Sequence, residues 1–387
     1  MELAKYQILF ALVVLATCEK FPSQHHESCI QIFILEKPHE DEVSKSPLEY
    51  KEDGESVIWS RIPFGNETDN EIVRYKPSHA LSVIPPNRIF QGSSGKLEIT
   101  DNCEGESWLI SAYPRKDDCV ETSPSQYDSL PTYTVCFDPT LKQTLYSVGK
   151  VYGNGGLPRV GARHFEEARS LFDFKWKDMY KNQRRKLKDS VGATNYARFF
   201  PEEQQYAYSC GHLFARGDVN TRVGQAATMF HLNVAPQQGI LNAGNWKIIE
   251  NDVRDFLGPN TGLLKVWTGT FGLLQLPHDD GRLVDMYLGQ GVPGTIPVPK
   301  FFWKLVYDIP STKGVVIIQF NNPHATPAEI AVERIQCTDM CDRVPWLTIT
   351  QPQRDNILHG YTYCCNVDEF KQIVGYPSEL PAIITNY

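Results

Sequence analysis

An amphipathic segment near the middle of the chain predicts the helix that most constrains the fold. In LNAGNWKIIENDVRDFL (241–257), four apolar residues recur at helical spacing and define a face for burial: Trp246, Ile249, Val253 and Phe256. Asn242 suits the start of this helix, where its side chain can accept a backbone hydrogen bond. Glu250 lies about 80° beyond two full turns from Asn242, so both polar side chains point to much the same side. Taken alone, the pair is more typical of an N-cap followed by a solvated carboxylate.

The segment before that helix alternates in the way of a strand. In QQYAYSCGH (204–212), one face carries Tyr206, Tyr208, Cys210 and His212, and the other carries Ala207, Ser209 and Gly211. With this strand in front of the helix, the simple interpretation of Asn242 and Glu250 as a helix cap and a solvated carboxylate is no longer the preferred one.

The first residues, MELAKYQILFALVVLATCEK, have the pattern of a secretory signal peptide. Lys5 supplies the positive start, residues 8–16 are apolar, and Ala16-Thr17-Cys18 is an acceptable cleavage site. The apolar stretch is too short to span a bilayer comfortably, and no later stretch is long and apolar enough. We expect a secreted, extracellular chain with no membrane partner; a buried N-terminal helix is the alternative. Asn66-Glu67-Thr68 is a permissible N-glycosylation site, which is compatible with secretion.

Ten cysteines in a secreted chain predict disulfides. Loss of Cys18 with the signal leaves an odd number, so one of the following lacks an intramolecular partner: Cys29, Cys103, Cys119, Cys136, Cys210, Cys337, Cys341, Cys364 and Cys365. The vicinal pair 364–365 is expected to bond to the 337–341 loop rather than to itself, with the connectivity left open. Zinc binding by those four residues is the alternative.

The order of predicted elements indicates an α+β protein. Residues 19–145 form short β-segments that are interrupted by Pro and Gly. Three or four cysteines are expected to cross-link these segments by disulfides. A basic, helix-compatible stretch follows at 163–190, and beyond residue 260 three β-branched and aromatic runs predict core strands: LLKVWTGTFGLLQL, FFWKLVYDI and GVVIIQF. We expect a signal peptide (1–18), a small β-rich domain (19–145) and a larger domain (146–387) built on a central antiparallel sheet with helices on its faces.

Charge is unevenly distributed along the chain. The net charge is −8, yet residues 150–255 carry sixteen Lys and Arg against eleven Asp and Glu, which leaves +5 here and −13 elsewhere. Such asymmetry indicates an anionic partner for the basic segment. The densest basic run comprises Lys175, Lys177, Lys181, Arg184, Arg185, Lys186 and Lys188. A solvated helix face explains this run equally well on charge alone.

Several motifs in fixed order resemble the DNA/RNA non-specific endonucleases, which are ββα-metal nucleases. That family has a D-R-G-H stretch, then N-x-x-P-Q, then N-x-x-x-W-x-x-x-E. Here Gly211-His212 is followed by two groups at the family's order and spacing, Asn233, Pro236 and Gln237, and then Asn242, Trp246 and Glu250. The resemblance implies a ββα-metal nuclease domain with a central antiparallel sheet, preceded by the small β-rich domain.

Further segments narrow the resemblance to the secreted arthropod branch of that family. VWTGTFGLLQL (266–276), IPVPKFFWKLVYD (296–308) and NNPHAT (321–326) match it, as does the pattern of Tyr180, Gln183 and Tyr196. Within that branch the chain looks like the salivary nuclease-like proteins of tsetse flies. The resemblance covers roughly 145–375 strongly and the β-rich domain weakly.

The resemblance assigns a chemical role to three residues. His212 takes the position of the general base, a role that suits a group titrating near neutral pH. Asn242 takes the position of the direct protein ligand to Mg²⁺ or another divalent cation, one per chain, since Mg²⁺ ordinarily keeps most of its waters. Glu250 matches the carboxylate that holds a water of the ion's hydration shell.

The remaining implied site residues contact the substrate or support the motif. Arg163, with Arg159 second, is the candidate for the arginine that contacts the phosphate. Asn233 and Gln237 are supporting residues. Backbone phosphates of DNA and RNA, bound without sequence preference, are expected to contact the basic run, above all Lys181, Arg184 and Arg185. Nearby Tyr and Trp rings could stack on bases, although such rings more often belong to a core.

The chain departs from the family at two positions in front of the Gly-His pair. The family's Arg is Cys210 here, and its Asp is Ser209. Loss of one preorganised cation or donor typically costs about 10²–10³ in rate, and a thiol cannot replace a guanidinium at a phosphate. We therefore expect weak or lost cleavage with nucleic-acid binding retained; a fully active endonuclease is the alternative. Cys210 is also the candidate for the unpaired thiol, or a small core residue with no further role.

Integrins recognise the tripeptide Arg-Gly-Asp, so Arg216-Gly217-Asp218 suggests a third function, that of an adhesion antagonist. A given tripeptide occurs by chance in about 5% of chains of this length, so the match is weak. It also lies within the stretch that the endonucleases use to build their site, and relatives carry Asp at the position of Asp218. An exposed loop tip would be needed for adhesion.

Overall fold

The computed structural model describes strands at 15–18, 27–30, 51–52, 55–59, 72–75 and 89–91, and then residues 96–104, 107–113, 131–153, 164–168, 171–172, 174–201, 206–257, 262–289, 296–381 and 384–387. The chain divides into two compact units, one of residues 1–82 with 116–126 and one of residues 83–115 with 127–387. The expected signal cleavage site and the glycosylation acceptor Asn66 lie in the first unit, outside the residues whose side chains are described.

Strands make up most of the regular structure. Their bounds are β1 (Leu15–Cys18), β2 (Glu27–Ile30), β3 (Lys51–Glu52), β4 (Glu55–Trp59), β5 (Ile72–Tyr75), β6 (Ile89–Gln91), β7 (Lys96–Asn102), β8 (Trp108–Tyr113), β9 (Tyr133–Asp138), β10 (Gln143–Tyr152), β11 (Tyr208–His212), β12 (Val234–Gln238), β13 (Leu263–Leu273), β14 (Gln275–Pro277), β15 (Leu283–Asp285), β16 (Tyr287–Leu288), β17 (Ile296–Pro297), β18 (Pro299–Asp308), β19 (Lys313–Phe320), β20 (Thr362–Cys365) and β21 (Thr385–Asn386).

The helices are short, with one exception near the middle of the chain. Their bounds are α1 (Trp176–Lys181), α2 (Gln183–Val191), α3 (Ala193–Phe199), α4 (Arg222–Ala227), α5 (Gly239–Asn242), α6 (Asn245–Leu257), α7 (Pro327–Glu333), α8 (Gln351–Arg354) and α9 (Val367–Val374). None of the helices in the described part of the chain has the length and apolar character needed to cross a membrane.

The second unit is built on one large sheet, with strand order β20-β19-β18-β13-β10-β9-β8-β7-β6 and β21 paired in parallel with β19. The other neighbours in this sheet are antiparallel. The three segments predicted as core strands form β13, β18 and β19, whose β-branched and aromatic side chains are almost entirely buried. The predicted α+β class with a central antiparallel sheet is confirmed.

This sheet continues across residue 145, where the sequence predicts a domain boundary. Strand β10 pairs with β9 on one side and with β13 on the other, so strands from both predicted domains share one sheet. The compact unit accordingly begins at residue 83 rather than at residue 146. The change of composition near residue 146 lies within β10, and strand pairing over long sequence separations leaves no local signal in composition.

The four cysteines near the C-terminus are paired by two disulfides, Cys337–Cys365 and Cys341–Cys364. The expectation that the vicinal pair bonds to the 337–341 loop is confirmed, and no thiolate remains there for zinc. A third disulfide joins Cys103 to Cys136. Among the described cysteines Cys210 is the free one, as expected.

The predicted strand and helix form a ββα unit beside the sheet. Strand β11 pairs with β12 in antiparallel register, with Ser209 opposite Gln237 and His212 opposite Val234. The apolar face of α6 is buried as its spacing predicts, and Trp246 packs against Phe302 with ring centroids 5.7 Å apart. Phe256 lies at the edge of that face and stacks on Trp346.

Asn242 does not begin the long helix, contrary to the prediction. It ends the single turn α5, and α6 begins at Asn245. The break has a tertiary cause, because buried Asn245 donates hydrogen bonds to Gln353 O and Gly360 O, both at 2.7 Å. A Cβ at Gly244 would lie 2.7 Å from His359 O, so the chain passes too close to another backbone for a side chain there.

Candidate active site

His212 ends β11, is partly buried and faces an aromatic wall. Its ring lies 5.0 Å from the ring of Phe165, centroid to centroid. Phe165 also contacts His231 at 5.5 Å, and His231 stacks on Trp176 at 5.3 Å. Three rings from three parts of the chain therefore form this wall, and Phe165, the ring in contact with His212, limits the motion of the imidazole on that side.

His231, the second histidine of this wall, was not singled out by sequence analysis. Its Nδ1 lies 3.1 Å from Glu166 O, and burial lowers the pKa of this imidazole to about 4. His231 is therefore neutral at physiological pH, and its buried position suits a packing role. A histidine flanked by Phe230 and Leu232 within a buried segment was the available sequence signal.

Asn242 is held against β11 by a short hydrogen-bond chain. Its Nδ2 donates to Ser209 Oγ at 3.2 Å, and Ser209 Oγ donates to Gln237 O at 3.1 Å. Asn242 is only partly buried, and its Oδ1 makes no hydrogen bond within the described residues. A carboxamide oxygen oriented in this way is a hard donor of the kind that Mg²⁺ or a similar divalent cation accepts, so the residues present fit such an ion.

The two residues predicted to support the motif, Asn233 and Gln237, are fully buried. Asn233 accepts hydrogen bonds from Ser147 Oγ and Phe214 N, both at 2.9 Å, and donates to Phe214 O and Thr228 O. It thus joins β10 of the large sheet to the segment that follows His212. Because Asn233 is saturated with protein partners, it stabilises the unit and offers nothing to a ligand.

Gln237 explains why the residue before His212 is a glycine. Its Nε2 donates to Gln319 Oε1 at 3.2 Å, which ties β12 to the large sheet. A Cβ at position 211 would lie 2.6 Å from Gln237 Oε1 and 2.7 Å from its Cβ. Gly211 therefore permits a close approach of β11 to β12 that any side chain would prevent.

Glu250 lies on α6 near a buried cluster of charges that sequence analysis did not identify. Lys304 of β18 is completely buried, donates to Thr268 Oγ1 at 2.6 Å and lies 5.5 Å from the Trp246 ring centroid. Burial lowers the pKa of Lys304, while the carboxylates of Asp218 and Glu250 act in the opposite direction. A lysine in the middle of the hydrophobic run FFWKLVYD was the available signal.

The adhesion interpretation of Arg216-Gly217-Asp218 is wrong. These residues form a 3-10 turn in which Asp218 is buried, and its Oδ1 accepts a hydrogen bond from Arg254 Nη1 at 2.9 Å. A Cβ at Gly217 would lie 2.8 Å from the same guanidinium. An integrin ligand must present this carboxylate to solvent, and here the carboxylate is an internal partner of α6.

The basic residues expected to contact nucleic acid divide into two groups. Lys181 of α1 and Arg185 of α2 are exposed, as are Lys175, Lys177 and Lys188. Arg184 is partly buried, and its Nη1 donates to Tyr196 Oη and Pro201 O, both at 3.3 Å, so it fastens α2 to the α3 region. Arg163 and Arg159 lie outside the described residues.

Cys210, the residue that the sequence motifs align with the family's arginine, is a partly buried thiol beside the Tyr180 hydroxyl. Burial raises the pKa of this thiol to about 12, and the hydrogen bond with Tyr180 only partly opposes that effect. The side chain is therefore neutral at physiological pH. It carries neither the positive charge that would stabilise a phosphate nor the thiolate that a nucleophile requires.

A sequence model described as DNA/RNA non-specific endonuclease matches residues 117–370, more than half of the chain. The chain belongs to the DNA/RNA non-specific endonuclease family. Its ββα unit on an antiparallel sheet is the ββα-metal arrangement that the motifs predicted, and this family depends on a divalent metal ion.

Two salivary proteins are similar to this member of the endonuclease family. "Salivary endonuclease" of Lutzomyia longipalpis is 31% identical over 245 residues, which are 62% of this chain and 56% of that protein. "Salivary protein Tsal2A" of Glossina morsitans morsitans is 24% identical over 242 residues, 62% of this chain and 58% of that protein. The chain thus spans less than two thirds of the length of either relative. A solved structure of the EndoG/EndoGI complex contains a chain with 16% identity and a TM-score of 0.38, covering 69% of this chain and 91% of that one.

Proposed function

We propose that this chain is a secreted protein that binds DNA and RNA without sequence preference and cleaves their phosphodiester bonds weakly in the presence of Mg²⁺. The observation that carries the proposal is the partly buried, neutral thiol of Cys210, a residue that we propose occupies the position of the family's arginine. The proposed secretion is supported by the signal-like N-terminus and by the salivary origin named for both relatives.

The hydrolytic roles proposed for the motif residues follow from their chemistry. His212 takes a proton from the attacking water, while the wall formed by Phe165 holds its ring. Asn242 presents its amide oxygen to one divalent cation, which when bound supplies Lewis acidity at the phosphate. Glu250 accepts a hydrogen bond from a nearby water and fixes its orientation. None of these roles requires the missing arginine, so slow cleavage is expected to persist.

Binding is proposed to rest on residues other than those that carry out cleavage. Lys181 and Arg185 are exposed, belong to adjacent helices and stand with three further exposed lysines in the same segment. Contacts of this type with backbone phosphates are roughly additive and do not depend on base sequence. Arg163 and Arg159 are proposed as additional phosphate contacts. Arg184 is not needed for this surface, since its guanidinium has partners within the protein.

A fully active endonuclease is the second candidate. It is favoured by the presence of all three motif residues, His212, Asn242 and Glu250, and by the name of the Lutzomyia longipalpis relative. The two candidates differ in rate rather than in substrate, because each would bind nucleic acid at the same surface.

Plasmid digestion and gel shifts on the same preparation separate these candidates. We expect binding to DNA and RNA that weakens as salt rises, together with slow nicking that EDTA abolishes. His212→Ala should abolish the nicking and leave the gel shift unchanged. Rapid chelator-sensitive cutting at low protein concentration would instead establish the active endonuclease, and indifference to polynucleotides at low salt would contradict both candidates.

A further inference from the structure

Ser209, which replaces the family's Asp, lies on the face of β11 opposite to Cys210 and contacts the residue proposed to bind the metal ion. Its Oγ donates to Gln237 O at 3.1 Å and accepts from Asn242 Nδ2 at 3.2 Å. Gln237 is the residue opposite Ser209 in the β11–β12 register, so strand pairing fixes the position of this carbonyl. The Ser209 hydroxyl therefore has one partner as a donor and another as an acceptor.

The donor count at Ser209 determines the orientation of the Asn242 amide. A serine hydroxyl has one hydrogen, and a backbone carbonyl can only accept. Because that hydrogen is used on Gln237 O, Ser209 can only accept a hydrogen bond from Asn242. The NH₂ group of Asn242 must then face Ser209, and Oδ1 must face the other way. A flipped amide would place two acceptors, Oδ1 and Oγ, against each other.

We propose that Ser209 is a positioning residue that sets which side of the Asn242 amide is presented to a divalent cation. This inference rests on the proposed function, because it assumes that Asn242 is the protein ligand. It also distinguishes the two departures from the family motif. Ser209, at the position of the family's Asp, supplies an acceptor for the Asn242 NH₂ group, whereas Cys210, at the position of the family's Arg, supplies no cation.

The proposal is tested by measuring the affinity of the full chain for Mn²⁺, with free Mn²⁺ counted by electron paramagnetic resonance. Binding that disappears in Asn242→Ala belongs to this site. We expect Ser209→Ala to weaken that binding about tenfold, the low end of the effect of second-sphere partners on metal affinity. Ser111→Ala is the matched control, since Ser111 is also a strand serine with hydroxyl contacts, to Thr100 and Thr134.

Ser209→Ala in a chain that also carries Asn242→Asp separates two effects of Ser209, orientation of the Asn242 amide and stabilisation of the strand pair. Asn242→Asp places two chemically equivalent oxygens at the site, so a 180° rotation of the side chain has no consequence. On this background either rotation places an oxygen against Ser209 Oγ, so we expect Ser209→Ala to cause no loss of Mn²⁺ affinity. An equal loss on both backgrounds would overturn the positioning role, as would an unchanged affinity in Ser209→Ala itself.

Folding and the metal site are checked in the same series. Thermal unfolding by circular dichroism shows whether each variant is folded, and Ser209→Thr and Ser209→Val replace Ser209→Ala if the latter is not. Thr keeps the hydroxyl and Val does not, at nearly the same volume, so only Val should lower the affinity for Mn²⁺. If the wild-type chain binds no Mn²⁺ that depends on Asn242, the proposed metal site itself fails and the role of Ser209 falls with it.

Discussion

Gln183 supplies both backbone hydrogen bonds of Tyr208. The Oε1 atom of Gln183 accepts from Tyr208 N at 2.8 Å, and its Nε2 donates to Tyr208 O at 3.0 Å. One buried side chain of α2 thus takes the place of a neighbouring strand at the start of β11. Through this contact the helix with the exposed basic residues is fixed to the strand that carries His212.

Gln183→Ala should therefore destabilise the protein and loosen the start of β11. The backbone N–H and C=O of Tyr208 are buried, and leaving them without partners costs roughly 1–3 kcal/mol per group. We expect the free energy of unfolding in urea to fall by about 2 kcal/mol. Gln336→Ala is the control, because its amide also bonds to backbone oxygens, those of Ala331 and Arg334, but is exposed. Equal losses in the two variants would contradict the role given to Gln183.

Restoring the cation at position 210 should raise cleavage if the missing arginine is the defect. Cys210 is partly buried beside Tyr180, so Cys210→Arg alone is expected to lower stability and gain little activity. The double variant Cys210→Arg with Tyr180→Ala provides space for the guanidinium. We expect it to nick plasmid up to about 10²-fold faster than the wild type. Tyr180→Ala alone is the control, and an unchanged rate in a folded double variant would place the defect elsewhere.

The local parts of this fold could be predicted from sequence. Alternation of side chains predicted β11, because burial of one face leaves a period of two in the sequence. Runs of β-branched residues predicted β13, β18 and β19. The order of the motif residues likewise predicted that His212 and Asn242 belong to one ββα unit. These features depend on neighbours within a few residues.

The features that could not be predicted depend on partners far away in the chain. The break before α6 is set by hydrogen bonds of Asn245 to carbonyls more than a hundred residues later. Burial of Lys304 depends on Thr268 in the adjacent strand, and burial of Asp218 depends on Arg254. Each is a polar group whose environment is created by tertiary packing, so local composition predicts a solvated residue in its place.

Acid should destabilise the protein through His231. Burial lowers the pKa of this imidazole to about 4, below its ordinary value near 6.5, so protonation favours the unfolded chain. The contribution of the neutral His231 imidazole to the free energy of unfolding is fully present above about pH 6.5 and is lost as pH falls toward 4. This loss is on the order of 3 kcal/mol across that window. His231→Phe keeps an aromatic ring against Trp176 and should flatten the pH dependence of unfolding free energy between pH 6.5 and 4. An unchanged slope would show that other groups control acid unfolding.

Lys304 should be needed for stability although it is a buried charge. Lys304→Met removes the cation from the region of Asp218 and Glu250 and leaves Thr268 without its donor. Breaking a buried charge network by removal of one partner typically costs about 3–5 kcal/mol. The matched control is Lys300→Met on the same strand, where Nζ is paired with partly exposed Glu333 at 3.0 Å. Loss of that surface pair should change the unfolding free energy by about 0–1 kcal/mol. Similar values for the two lysines would contradict the role of the buried cluster.

Charge reversal on the exposed face of α1 and α2 should weaken nucleic-acid binding in a salt-dependent way. Lys181→Glu and Arg185→Glu each remove one proposed phosphate contact. Each should therefore lower affinity for DNA and RNA alike and make the plot of log affinity against log salt less steep by about one unit. Arg343→Glu, which changes the same charge at an exposed residue of the 337–349 loop, should leave that slope unaltered. The measurement is fluorescence anisotropy with labelled duplexes of two unrelated sequences at graded salt. A loss confined to one of those sequences would show that these residues read bases, and an unchanged slope would place the binding surface on another face of the molecule.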